Sequence, residues 1–151
     1  RMIMILKGIL DGISDGIKSA LCFTARAYIK INGKRIKRIT TSDIIDNIFQ
    51  ENIGNEIELS TRFSLLFGTV VYSVKESNGE VNKTGILNLL LMGMLRTLCW
   101  LICYGIIYGI FYGIMLANDL DDSIVSYIPI ILFLYPIYAF VRDLILRNKL
   151  K

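Results

Sequence analysis

From Phe23 to Ile31 apolar and polar side chains alternate, with Phe23, Ala25, Ala27, Ile29 and Ile31 set against Thr24, Arg26, Tyr28 and Lys30. A period of two places each set on its own side of an extended chain, so the segment predicts a strand with one apolar face. Asn32 and Gly33 tolerate positive φ and predict a tight hairpin turn, with Lys34 to Thr40 as the return strand. Thr41 or Ser42 can cap a short helix over Asp43 to Asn52, in which Ile44, Ile45, Ile48 and Phe49 share a face and after which Gly54 suits a stop. Glu56 to Phe67 and Thr69 to Glu76 read as two further strands, and Asn78-Gly79 as a second hairpin turn.

The first 21 residues follow another rhythm. Leu6, Ile9, Leu10, Ile13, Ile17 and Leu21 recur at three- and four-residue steps, which predicts an amphipathic helix over 1–21, lying on a membrane or packed on the next segment. Gly8, Gly12 and Gly16 repeat a four-residue step in it; each Gly costs about 1 kcal/mol relative to Ala in a helix, so close packing is expected to offset them. Lys7 and Asp11 arrive too soon for the apolar core of a secretory signal. The fold expected of residues 22–84 is a small cytoplasmic α+β domain, and from residue 1 the element order is α-β-β-α-β-β.

Beyond residue 85 the chain turns apolar. Ile86 to Leu116 is broken by one charge, Arg96, and Ile124 to Phe140 carries none. As one helix the first run would be about 46 Å long against a hydrocarbon core of about 30 Å. The expectation is therefore an interfacial helical lead-in over 85–96, a transmembrane helix over 97–117, an acidic turn over 118–123, a second transmembrane helix over 124–144 and a basic tail over 145–151. Arg96 is then expected to snorkel to the interface. Arg142 and Asp143 are neighbours in sequence and are expected on different sides of the second helix. Lys and Arg are absent from the turn and abundant on both sides of the pair, which predicts an integral membrane protein with both termini cytoplasmic and the acidic turn on the opposite side.

Composition supports the membrane reading: the 151 residues are 54% hydrophobic, with a mean hydropathy of +0.54, well above the soluble norm. The absence of His removes the usual zinc ligand and every His-based triad. Cys99 and Cys103 lie one turn apart, with Cys22 the only other thiol, and read as small buried hydrophobes. No catalytic residue, cofactor or metal site is expected, and the formal charge of +4 is too small to argue for nucleic acid.

One feature rises above this background. Gly105, Gly109 and Gly113 form a stripe on the first spanning helix, and Tyr104, Tyr108 and Tyr112 form a second stripe beside it. Positions without side chains at a four-residue step let another helix backbone approach closely, so these six residues are the expected helix-packing interface. Lys34, Arg35, Lys37 and Arg38 make the densest basic cluster and, with Arg96, are expected contacts for lipid headgroups. The function expected is that of a non-catalytic accessory or scaffold subunit of a membrane complex, assembled through the glycine-rich helix on other membrane subunits or on copies of itself. The alternative is an oligomeric pore-forming effector; it is weakened because neither apolar run has a continuous polar face.

Overall fold

A computed structural model describes residues 3–19, 22–119 and 128–150. Its elements are β1 (Ile3–Ile13), β2 (Gly16–Lys18), β3 (Phe23–Ile31), β4 (Lys34–Ser42), α1 (Asp43–Glu51), β5 (Glu56–Ser64), β6 (Gly68–Lys75), β7 (Val81–Lys83), α2 (Ile86–Ala117) and α3 (Ile128–Arg147). The strands pair in the order β1-β5-β6-β4-β3, and β1 pairs β3 as well, so the sheet closes into a five-stranded barrel. All these pairings are antiparallel except β4 with β6. Such a barrel with Greek-key connections is an architecture shared by many functions and fixes none.

The barrel corrects two expectations together: the α+β domain and the amphipathic helix at its start. Closure depends on β1 serving two neighbours. Ile3 to Ile9 pair with β5, and from Leu10 to Ile13 the same strand pairs with Ile31 to Ile29 of β3, with a register shift between Leu10 and Gly12. A bulge of this kind bends a strand and increases its twist. β2 then continues along the other half of β3, Thr24 to Arg26.

The alternation of β1 is real but masked. Leu6, Gly8 and Leu10 point inward, and the middle position carries no side chain. A Cβ on Gly8 would lie 2.7 Å from Ile31 Cγ2, so the close approach is between strands. Ile3, Ile5 and Ile9 on the outer face are apolar too, which leaves Leu6, Leu10 and Ile13 to imitate a helical step.

The remaining small elements fall close to their predicted positions. Ser42 holds the extended backbone of an N-cap, although its side chain makes no capping bond. α1 seals one end of the barrel, where Ile45, Ile48 and Phe49 join Leu10, Ile29, Ile39, Ile57, Leu59 and Val74 in a single buried core. A second core lies outside the barrel wall, where Val70 and Tyr72 of β6 meet Phe23, Leu89 and Met92 of the first α2 turns, and Leu146 of α3. β6 is thus buried on both faces, and its near-continuous apolar run follows from that.

The two-helix transmembrane hairpin is also corrected. α2 is a single helix of 32 residues, and among the described residues it is the one helix long and apolar enough to cross a membrane. Its first turns are docked on the barrel through Leu89 and Met92, so the expected lead-in over 85–96 is part of the domain's packing. The part that leaves the barrel, Thr97 to Ala117, is about 31 Å long and matches the hydrocarbon core.

α3 runs antiparallel beside it, as the pairs Trp100–Tyr135 and Arg96–Asp143 show. From Ala139 onward α3 buries a face in the domain through Ala139, Asp143 and Leu146. What precedes that docked end, Ile128 to Tyr138, measures about 17 Å as a helix, roughly half a bilayer core. The expected free basic tail is likewise held: Leu150 is buried, and Arg147 Nε donates to the Thr84 carbonyl at 2.6 Å. Asn118 and Asp119 form a turn after α2; the rest of the expected acidic turn, and Ile124 to Tyr127, lie outside the described residues.

Candidate functional site

Two features of the helical part stand out: an uncovered stripe of small residues, and a buried cluster of charge at its foot. On α2, at 100° per residue, Trp100 falls opposite Gly109, with Tyr104 also on that far side. Those are the residues that meet α3: the Trp100 and Tyr135 ring centroids are 5.3 Å apart, and Trp100 and Tyr104 border a small cavity with Leu132 and Pro136. α3 therefore occupies the face away from the glycines. Among the described residues, a Cβ at Gly105, Gly109 or Gly113 would meet nothing within 4 Å. Tyr104, Tyr108 and Tyr112 form a ladder that runs from the α3 side at Tyr104 to the edge of the stripe at Tyr112, with ring centroids 5.6 and 6.1 Å apart. Ile106 and Ile110 form the other border, both exposed. Cys103 is exposed on α2 as well, in place of the buried position expected of it.

At the foot of α2, Arg96 does not snorkel outward. Its Nη1 donates to Asp143 Oδ2 at 3.0 Å. Tyr72 donates its phenol proton to Asp143 Oδ1 at 2.9 Å, and Arg62 Nε donates to the Tyr72 oxygen at 3.3 Å. Arg62 and Arg142 stand 3.8 and 3.9 Å from the same carboxylate. Arg142 Nε thus comes nearer to Asp143 than the expectation that adjacent residues diverge allows, although no hydrogen bond joins them. Asp143 is fully buried. Burial, and then the Asp143 charge, push the Tyr72 phenol up to about 12, so at ordinary pH it is a neutral donor. This buried network ties the feet of α2 and α3 to the barrel, since it bridges β5, β6, α2 and α3.

The basic cluster of β4 is divided by the fold. Lys34 and Arg35 are at the hairpin tip, with Arg35 over the Tyr28 ring at 4.6 Å. From there to Ser42, which pairs with Phe23, the strand covers about 26 Å. Phe23 is the end that packs on α2. Arg38 alone of the four comes near α2, sharing with Leu95, Phe23 and Phe67 the lining of a cavity of about 550 Å³. Around that mouth stand Ile17 and Leu66, and the neighbouring Leu65 is 88% exposed. Arg38 Nη2 donates to the Leu65 carbonyl at 3.4 Å, so a cation sits directly behind this apolar loop.

Sequence reading missed the charge cluster because its members lie up to 81 positions apart, from Arg62 to Asp143. The available signal was Asp143 itself: an acid in an apolar helix needs a partner, and Arg96 was the one cation in the other apolar run. Among the described residues no group of acids and thiols has the arrangement of a metal site. No protein-family model, no curated protein and no solved structure matches the chain.

Proposed function

We propose that this chain is a non-catalytic scaffold or accessory subunit, carried on a membrane by α2, whose glycine stripe receives a helix of another subunit. The observation that carries this reading is the open stripe: three glycines in register along an apolar helix, beside a ladder of tyrosines, with no described residue packed on them. Each Gly weakens a helix relative to Ala. A close helix contact is the standard compensation in a bilayer, where association relies on packing.

The exposed Leu65, Leu66 and Ile17 support a barrel resting against the same membrane. Arg62, Arg96, Arg142 and Arg147 gather at the barrel end of α2, and by the positive-inside tendency that end is cytoplasmic. Since β1 belongs to the barrel and the end of α3 is docked on it, both described ends share that side.

Gly109→Leu tests the reading. Its side chain meets open space in the isolated chain, so folding should be unaffected, while the mass of the complex extracted in mild detergent should fall to that of the lone chain. An unchanged complex would defeat the proposal. If the wild-type complex contained only copies of this chain, and liposomes carrying it leaked ions, the pore alternative would replace the scaffold.

A further inference from the structure

The two ends of the barrel differ in polarity. At the end far from the exit of α2 the turns are Asn32-Gly33, Asn52 to Asn55 and Glu76 to Glu80, which among them hold a single large apolar side chain, Ile53. Turns face water, so polar residues and glycine are the rule there. At the other end β5 and β6 are joined by Leu65-Leu66-Phe67, three large apolar residues in succession. Leu65 is 88% exposed and Leu66 48%. Ile17 of β2 is 77% exposed and borders the same cavity as Leu66 and Phe67. Scattered exposed leucines are ordinary, but apolar side chains gathered at one end of a barrel form a surface that calls for a cover.

Two observations point to lipid as that cover. The first is level. Leu95 of α2 lines the same cavity, and the free, bilayer-length segment begins at Thr97, about 3 Å further along the helix axis. The β5–β6 turn therefore lies at the height where α2 enters hydrocarbon, within reach of the same leaflet. The second is charge. The cavity lining includes Arg26 and Arg38 and no carboxylate. Arg26 is held by Asp46, whereas Arg38 is exposed, with Nη2 3.4 Å from the Leu65 carbonyl. Lys18, next to Ile17, is exposed as well. An apolar tip with cations set behind it matches the layering of a bilayer surface, acyl chains beneath phosphates.

We propose that the β5–β6 turn and Ile17 insert into the membrane interface beside α2, with Arg38 and Lys18 on lipid phosphates, so that the barrel stands end-on on the bilayer. The inference rests on the reading that α2 lies in a membrane, and it adds a second point of contact that a spanning helix does not require. Because the first turns of α2 are packed on the barrel, two points of attachment fix the rotation of α2 about its own axis, and with it the direction in which the glycine stripe faces.

The test places an environment-sensitive fluorescent amino acid at position 65, 17, 34 or 107 of the full chain in liposomes of phosphatidylglycerol and phosphatidylcholine. Each probe is quenched in turn by bromines on the acyl chains and by iodide present on both faces of the membrane. Positions 65 and 17 should be quenched by bromine as position 107 is, and position 34, at the far hairpin tip, by iodide alone. Leu65→Asp disturbs no packing at so exposed a position, so the fold should survive. It should open the probe at position 17 to iodide and leave position 107 in lipid. Arg38→Gln should lower the ratio of inserted to water-exposed turn about fivefold, the effect of one basic charge at an anionic surface.

The failures are distinguishable. Iodide quenching at position 107 would defeat the membrane reading itself. Iodide quenching at position 65 with position 107 still in lipid would overturn only the end-on contact. Protection of position 65 from both quenchers would mean that a protein surface covers the turn, which also overturns the proposal. A probe at position 17 unmoved by Leu65→Asp would show that the two do not form one inserted surface, and an unchanged ratio in Arg38→Gln would overturn the phosphate contact.

Discussion

At the scale of single residues, Asp143 is the most consequential side chain in the molecule. It is fully buried and accepts from Tyr72 and Arg96 while two further guanidiniums stand within 4 Å. Asp143→Ala leaves buried cations without their counter-charge, and loss of one partner from such a group typically destabilises by about 3–5 kcal/mol; chemical denaturation in detergent should show a loss of that size. Tyr72 yields a pH prediction. Its folded pKa, about 12, lies above the ordinary tyrosine value of 10.0, so the folded state holds the proton more tightly than the unfolded one. The associated stability is fully present below about pH 10 and is lost as pH rises toward about 12. Tyr72→Phe should remove that alkaline component from the pH–stability curve; an unaltered curve would mean that the phenol titrates normally. Little of this cluster was legible beforehand. Arg96 was visible as the one charge in its apolar run and Asp143 as an acid just past the end of the other, but their pairing is a product of how α3 folds back, and no local periodicity encodes it.

At the scale of elements, legibility depended on whether a segment's two faces differ. β3 shows one apolar and one polar side, and its hairpin with β4 and the turn at Asn32-Gly33 could be read directly. β1 could not. Its outer Ile3, Ile5 and Ile9 are as apolar as its inner Leu6 and Leu10, and Gly8 leaves a gap in the inner series. The register shift near Gly12 then changes the phase. The gap at Gly8 has a physical cause that can be tested. Gly8→Val would drive a side chain into Ile31 and Asn32 at the β1–β3 seam, so it should destabilise by roughly 1–3 kcal/mol, the usual range for overpacking, and more if the barrel opens. Had Gly8 belonged to an exposed helix face, the same change would be almost silent; a thermal melt decides between them. α3 was misjudged for a related reason. Apolar content alone does not distinguish a face packed on protein from one packed on lipid, and Leu146 is buried against Val70 and Tyr72 of the domain.

At the scale of the whole molecule, the architecture is a closed barrel with one long apolar helix rising from its wall and a second helix bracing it. The rigid bridge of Arg62, Tyr72, Asp143 and Arg96 makes barrel and helix foot a single body, so a partner bound along α2 would be held at a defined distance from the barrel surface. The apolar stretch and the glycine repeat were legible from sequence because both are local; that the described part of α3 packs on the opposite face, leaving the stripe clear of every described residue, was not. The proposed assembly requires that another helix cover this stripe in the membrane. The most direct measurement is photo-crosslinking in intact membranes with a reactive residue at Ile106, which borders the stripe, or at Ile107, on the opposite side. A discrete protein adduct of added mass is expected from position 106, and only lipid or intrachain adducts from position 107. Lipid-only products at both positions, or protein adducts of equal yield from both, would contradict it.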